Sequence, residues 1–144
     1  MLRAFDPVPT VSRTTPSATR LPTRSGATRR APELRFRIRI SDGEVIAVGP
    51  GKIALLEALD KTGSIPAAAK RLDMSYRRAW LLLDELNRSL RQPAVASAKG
   101  GAAGGGSVLT DAGRDLVTLY RTIESKATVA CRTDIRKLMS MLAR

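Results

Sequence analysis

Thirty residues, Thr62 to Arg91, constrain the chain most. They read as two short amphipathic helices held at a fixed spacing by a polar break. Ser64 stands where an N-cap belongs, its oxygen able to accept a free backbone N–H of the first turn. Ala67, Ala68, Ala69 and Leu72 then offer a small-residue face that lets a second helix come close. Asp73-Met74-Ser75 interrupts the pattern, and Ser75 is placed to cap a second helix. From there Ala79, Leu82, Leu83, Leu86 and Leu90 recur at helical spacing as one apolar stripe. Tyr76, Arg77, Trp80, Asp84 and Arg88 fall on the opposite side, with Arg78 at its edge. Two helices, a turn of three to four residues, and a second helix that is cationic at its start make the helix-turn-helix pattern.

Helical hairpins are common, and adjacent arginines often do no more than solvate a face. Here Ser75, Tyr76, Arg77 and Arg78 sit where a recognition helix first meets base edges and phosphates. Ser64, at the start of the helix that would cross the backbone, is expected to bind DNA as well. Trp80, the sole tryptophan, lies off the stripe and reads as a half-buried core or interface residue sooner than as a DNA contact. The charge balance agrees with a polyanionic partner: 25 Lys+Arg against 13 Asp+Glu give a net charge of +12. Six of those basic residues and one acidic residue lie in 1–32, leaving 19 against 12 in 33–144.

Residues 1–32 are rich in Arg, Thr, Ser and Pro and read as a disordered basic arm. An organelle transit peptide or a start codon assigned too far upstream would have the same composition. Leu34 to Ile40 alternates strictly, placing Leu34, Phe36, Ile38 and Ile40 on one face and Arg35, Arg37 and Arg39 on the other. A half-buried strand is predicted, turned by Ser41 to Glu44 with Asp-Gly at its centre, and Val45 to Val48 returns as its partner. The three arginines are expected to face water or a partner subunit sooner than phosphate. After Gly49-Pro50-Gly51, a first helix is predicted over Lys52 to Lys61, burying Ile53, Leu55, Leu56 and Leu59.

Gln92-Pro93 ends the second helix of the pair. Short apolar stretches at Val95 and at Val108-Leu109 then flank a loop carrying Lys99, Gly100, Gly101, Gly104, Gly105 and Gly106. Two strands and a mobile tip with one cation are what a wing laid along a DNA backbone requires. A nucleotide-cradling loop is the rival, but no Gly-Lys-Ser/Thr follows. Thr110 is a natural N-cap for a last helix, expected to run unbroken over 111–142, about 45 Å at 1.5 Å per residue. Leu116, Tyr120, Ile123, Ala127, Cys131, Ile135, Leu138 and Leu142 make a heptad-like seam along it. A helix that outreaches its own domain should find a second copy, so a homodimer is expected. Cys131 reads as a small packed residue of that helix.

Lone Cys131 and the absence of His remove disulfide frameworks and the usual zinc sites, and fit a reducing, cytoplasmic setting. No apolar run spans a membrane. Without clustered carboxylates there is no evident acid, base and nucleophile, so no enzyme and no cofactor are expected.

Gly63-Ser64-Ile65, Ala67-Ala68-Ala69, Leu72, Met74-Ser75-Tyr76, Ala79-Trp80 and Leu86-Asn87 together carry a resemblance. With the glycine-rich loop and Val108-Leu109-Thr110-Asp111-Ala112-Gly113, they resemble the N-terminal domain of the molybdate-responsive regulators called ModE, over about Leu34 to Glu124. The helix-turn-helix half is shared with LysR-type regulators. The resemblance implies a chain that is mainly α with small β: a winged helix-turn-helix at 33–144, with an N-terminal β-hairpin and a long C-terminal dimerisation helix. It further implies a homodimer on a pseudo-palindromic double-stranded operator, regulating molybdate transport or molybdenum-enzyme genes. Ser75, Tyr76, Arg77 and Arg78 would open the recognition helix, and Lys99, Gly100 and Gly101 would lie in the wing. Full-length members continue into paired molybdate-binding domains, for which 144 residues leave no room. Sensing is therefore expected to fall to a separate molybdate-binding protein, to another signal, or to none, unless the chain is a piece of a longer protein. The competing expectation is a winged-helix protein-interaction or nonspecific nucleoid-associated module.

Overall fold

A computed structural model describes residues 31–98 and 105–143. The chain divides into two units between Ala31 and Pro32. In chain order the elements of the second unit are β1 (Ile40–Asp42), β2 (Val45–Val48), α1 (Pro50–Thr62), α2 (Ile65–Arg71), α3 (Tyr76–Ser89), β3 (Val95–Ser97), β4 (Ser107–Leu109), α4 (Asp111–Ala130) and α5 (Arg132–Ser140). The described residues are thus mostly helical, with two small antiparallel sheets, β1–β2 and β3–β4.

The core gathers around α1, where Ile53, Leu55, Leu56 and Leu59 are wholly buried, as expected. Buried on several sides, α1 packs on α2, α3, β4 and α4. It starts two residues earlier than predicted, because Pro50 occupies the first helical position, where its missing N–H costs nothing. Ala68 and Ala69 of α2 press into the core, and α3 adds Ala79, Leu83 and Leu86, with Leu82 and Leu90 at its edge. Between α2 and α3, Asp73 takes φ +53, a left-handed conformation that aspartate tolerates.

The N-terminal segment departs from expectation. Only Ile40–Asp42 pairs with β2, so the strand predicted from Leu34 is mostly not in a ladder. The cause lies in the partner: Ile40 pairs with Val48, after which Gly49-Pro50 turns the chain into α1 and no strand remains to receive Leu34 to Arg39. The alternation survives in the packing. Leu34, Phe36 and Ile38 are half-buried, while Arg35, Arg37 and Arg39 are exposed. Tyr120 of α4 holds this segment, its hydroxyl donating to the Ile38 carbonyl at 2.9 Å. Ile40, expected on the inner face, is exposed instead. The turn is Gly43-Glu44, with Gly43 at φ +60. A first loop position at positive φ favours glycine in a two-residue hairpin.

Lys52, which the sequence marks only as the start of a helix, is 4% exposed. Its ammonium donates to the carbonyls of Ile46 and Ala47, beside the β1–β2 register shift, and lies 3.1 Å from Glu85 Oε2 on α3. One cation therefore ties the hairpin to α1 and α3 together. Lys52→Met, which keeps the stem and removes the charge, should lower unfolding free energy by about 1–3 kcal/mol, the cost of stranding buried acceptors. Chemical denaturation measures it. Glu85→Gln, altering a half-exposed partner, should cost far less.

The single helix expected over 111–142 is instead two, α4 and α5, separated by Cys131 at φ −94, ψ 11. The break is short, since Cys131 N–H still reaches the Ala127 carbonyl at 2.9 Å and Ile135 N–H the Cys131 carbonyl at 2.9 Å. One turn before it, the Thr128 hydroxyl donates to the Glu124 carbonyl at 2.8 Å, back-bonding of the kind that bends helices. The seam also splits. Leu116 and Tyr120 pack on the core, whereas Ile123 (49%), Leu138 (59%) and Leu142 are exposed, as is Cys131, which was expected to be packed. No residue of α5 is buried.

Candidate functional site

The surface of interest is the open side of α3. Ser75 caps the helix, its Oγ accepting the Arg78 N–H at 3.2 Å, and three exposed residues come next: Tyr76 (54%), Arg77 and Arg78. With Ala79, Leu83 and Leu86 turned inward, the positions i, i+3, i+4, i+7 and i+11 from Arg77 face out. Arg77, Trp80, Leu81, Asp84 and Arg88 therefore share one stripe. Asp84 and Arg88 form an ion pair along it. Arg77 and Arg78 make no ion pair among the described residues, and the first turn of α3 holds no acidic side chain. Two cations at the positive end of a helix dipole oppose helix stability by a few tenths of a kcal/mol each. Such a pairing gains only when an anion arrives.

Hairpins flank the stripe on both sides. On one side stands β1–β2, held to α3 through Lys52 and Glu85. On the other stands β3–β4, in register Val95 with Leu109, Ala96 with Val108 and Ser97 with Ser107. Asn87 fastens it to α3: Nδ2 donates to the Val95 carbonyl at 3.0 Å, while Oδ1 accepts the N–H groups of Ala94 at 2.9 Å and Val95 at 3.1 Å. Every hydrogen-bonding group of that amide but one N–H is used. At the same base, Ser107 N–H donates to the Gly63 carbonyl at 3.1 Å, joining β4 to the turn between α1 and α2.

Of the residues singled out from sequence, Ser75, Tyr76, Arg77, Arg78 and Trp80 come together on the open end of α3. Trp80, expected to be half-buried, is 46% exposed. Ser64 has a local task, its Oγ accepting the Ala67 N–H at 3.3 Å to cap α2. Lys99, Gly100 and Gly101 lie outside the described residues. Sequence reasoning overlooked Leu81, which is 49% exposed on the stripe, and the bracing roles of Asn87 and Lys52. The spacing of Arg77 at i and Leu81 at i+4 was a signal for the first; nothing local marked the other two.

The strongest electrostatic cluster is a brace away from this surface. Arg121 of α4 grips Glu57 of α1 with two hydrogen bonds, 2.7 and 2.8 Å, and Glu124 with a third at 2.7 Å. The guanidinium holds the Glu57 carboxyl below the usual carboxylate range, and the two carboxylates raise Arg121 in turn. Among the described residues no group of three His, Cys, Asp or Glu side chains could hold a metal ion, and no helix is long and apolar enough to cross a membrane.

The geometry is that of an exposed, cation-tipped helix set between two anchored hairpins. Comparison with known proteins gives a narrower likeness. The chain is 46% identical over 78 residues to the molybdenum-pterin-binding protein MopB of Rhodobacter capsulatus, covering 54% of this chain and 29% of that protein. It is 44% identical over 92 residues to the molybdenum transport protein ModE of Azotobacter vinelandii, covering 62% and 34%. To the DNA-binding transcriptional dual regulator ModE of Escherichia coli K12 it is 39% identical over 98 residues, covering 65% and 37%. The chain thus spans about a third of the length of the curated relatives it matches. No family model matches it.

Proposed function

We propose that this chain is a sequence-specific DNA-binding transcriptional regulator of the ModE kind, a winged helix-turn-helix acting as a homodimer on a pseudo-palindromic operator. α2 and α3 are its helix-turn-helix, with Tyr76, Arg77 and Arg78 entering the groove and Ser75 holding the helix start. β3–β4 is the base of the wing, whose tip would carry Lys99, Gly100 and Gly101. One observation supports the reading above the rest: Arg77 and Arg78 stand together, without ion-pair partners among the described residues, at a helix end that disfavours them. A phosphate backbone reverses that sign. The resemblance to ModE regulators makes molybdate transport and molybdenum-enzyme genes the first to examine, and one relative is named a molybdenum transport protein.

The test is selection of bound sites from random duplexes by the purified chain, with and without molybdate. A palindrome with half-sites about one turn, about 34 Å, apart is the expected product. Only micromolar, sequence-indifferent binding that vanishes at moderate salt would favour the interaction module instead.

The dimer rests on the exposed distal seam. Along α4 and α5, Ile123 and Leu138 are exposed and Ala127 and Ile135 half-buried among the described residues. Ile123→Asp with Leu138→Asp should turn a dimer into a monomer in sedimentation equilibrium and cost operator affinity at least about tenfold, because a lone domain meets one half-site. Both side chains are exposed within the chain, so the unfolding midpoint of the domain at low concentration should barely move.

A further inference from the structure

Resting on the reading that α3 enters the major groove, we propose that Leu81, flanked by Trp80, recognises the C5 methyl groups of thymine. The stripe presented by α3 is chemically graded. At its N-terminal end stand Arg77 and Arg78, whose donors serve guanine edges or phosphates. At its far end Asp84 and Arg88 satisfy one another in an ion pair. Between them lie Trp80 and Leu81, 46% and 49% exposed, side by side on the open face. The middle of the helix therefore offers a duplex apolar contact, with the indole N–H as its sole polar group. In the major groove the apolar feature that distinguishes one base pair from another is the thymine methyl. In the minor groove there is none, so the same pair of side chains would gain nothing there.

The hairpin side does not claim this leucine. Leu81 borders a shallow depression with Val45, Asp42, Glu85 and Ser89, yet half of its surface still faces solvent. Covering that surface by a base edge removes it from water without moving either hairpin. The proposed contact thus assigns specificity to the central positions of each half-site, separate from the arginine contacts at its end.

The experiment uses the full chain and the duplex preferred in site selection, with each thymine replaced in turn by deoxyuridine, which lacks the methyl alone. Wild-type protein should lose about fourfold affinity at one or two central positions of the half-site, the worth of one buried methyl. Leu81→Ala should bind the thymine duplex more weakly by a similar factor and no longer distinguish uracil from thymine at those positions. Its unfolding should stay cooperative with at most a modest fall in midpoint, since Leu81 lies outside the core. Equal binding of the fully uracil-substituted duplex by wild type, or undiminished discrimination by Leu81→Ala, would overturn the inference while the regulator reading stands. Failure to select any preferred duplex would overturn both.

Discussion

Replacing Arg77 and Arg78 together with alanine should abolish sequence-selective duplex binding while leaving the fold intact. Each arginine that touches a base edge is worth about 1–3 kcal/mol, so the pair accounts for a loss of about 30-fold to about 20,000-fold. The fold should not suffer, because both side chains are exposed and neither forms an ion pair among the described residues. Stability should rise by a few tenths of a kcal/mol, as two cations leave the positive end of α3. That opposition of signs is the diagnostic: affinity falls while the unfolding midpoint holds or climbs. Titration of the selected operator and thermal unfolding read the two sides. Operator affinity equal to wild type would remove α3 from the interface.

Gly113→Ala should be the most damaging glycine-to-alanine change among the described residues. A Cβ at Gly113 would stand 2.2 Å from the Ala94 carbonyl oxygen and 3.0 Å from its carbon, and both belong to backbone that cannot rotate away. The same carbonyl accepts the Thr110 N–H at 3.0 Å, and the Thr110 hydroxyl donates to the Pro93 carbonyl at 2.6 Å while its oxygen accepts the Gly113 N–H at 3.1 Å. The start of α4 and the entry to β3 are therefore built against one another at van der Waals contact. Separating them would break the cap and disturb Asn87, which holds Ala94 from the other side. Overpacking of a tight site costs about 1–3 kcal/mol, and a backbone opponent puts this one at the upper end or beyond. Equilibrium denaturation should show it; a loss below about 1 kcal/mol would mean that α4 can slide without penalty.

Features written in neighbouring residues were legible in the sequence: the N-caps at Ser64, Ser75 and Thr110, the break at Asp73 to Ser75, and the apolar stripes of α1 and α3. Features that depend on a distant partner were not. The alternation at Leu34 to Ile40 announced that Leu34, Phe36 and Ile38 face inward, but not that Ile40 is exposed or that the chain beyond Val48 leaves the ladder. The seam from Leu116 to Leu142 announced a long apolar line, yet nothing in its spacing marked the one-residue interruption at Cys131. Lys52 and Asn87 showed no periodic signature at all, because each matters through carbonyl groups brought to it by other elements. At the candidate site, Arg77 and Arg78 were visible as charges on a helix start, whereas Leu81 was hidden among three consecutive leucines.

Asn87 and the Gly63 carbonyl bolt β3–β4, and Lys52 bolts β1–β2, onto the same scaffold. Docking onto a rigid, ready-shaped ligand would then require little ordering of main chain, and the entropy lost would be chiefly that of surface arginines and of the two associating bodies. A surface so braced behaves as a die rather than as a hand: variants that loosen a bolt should weaken association through configurational entropy even where every contacting side chain is untouched.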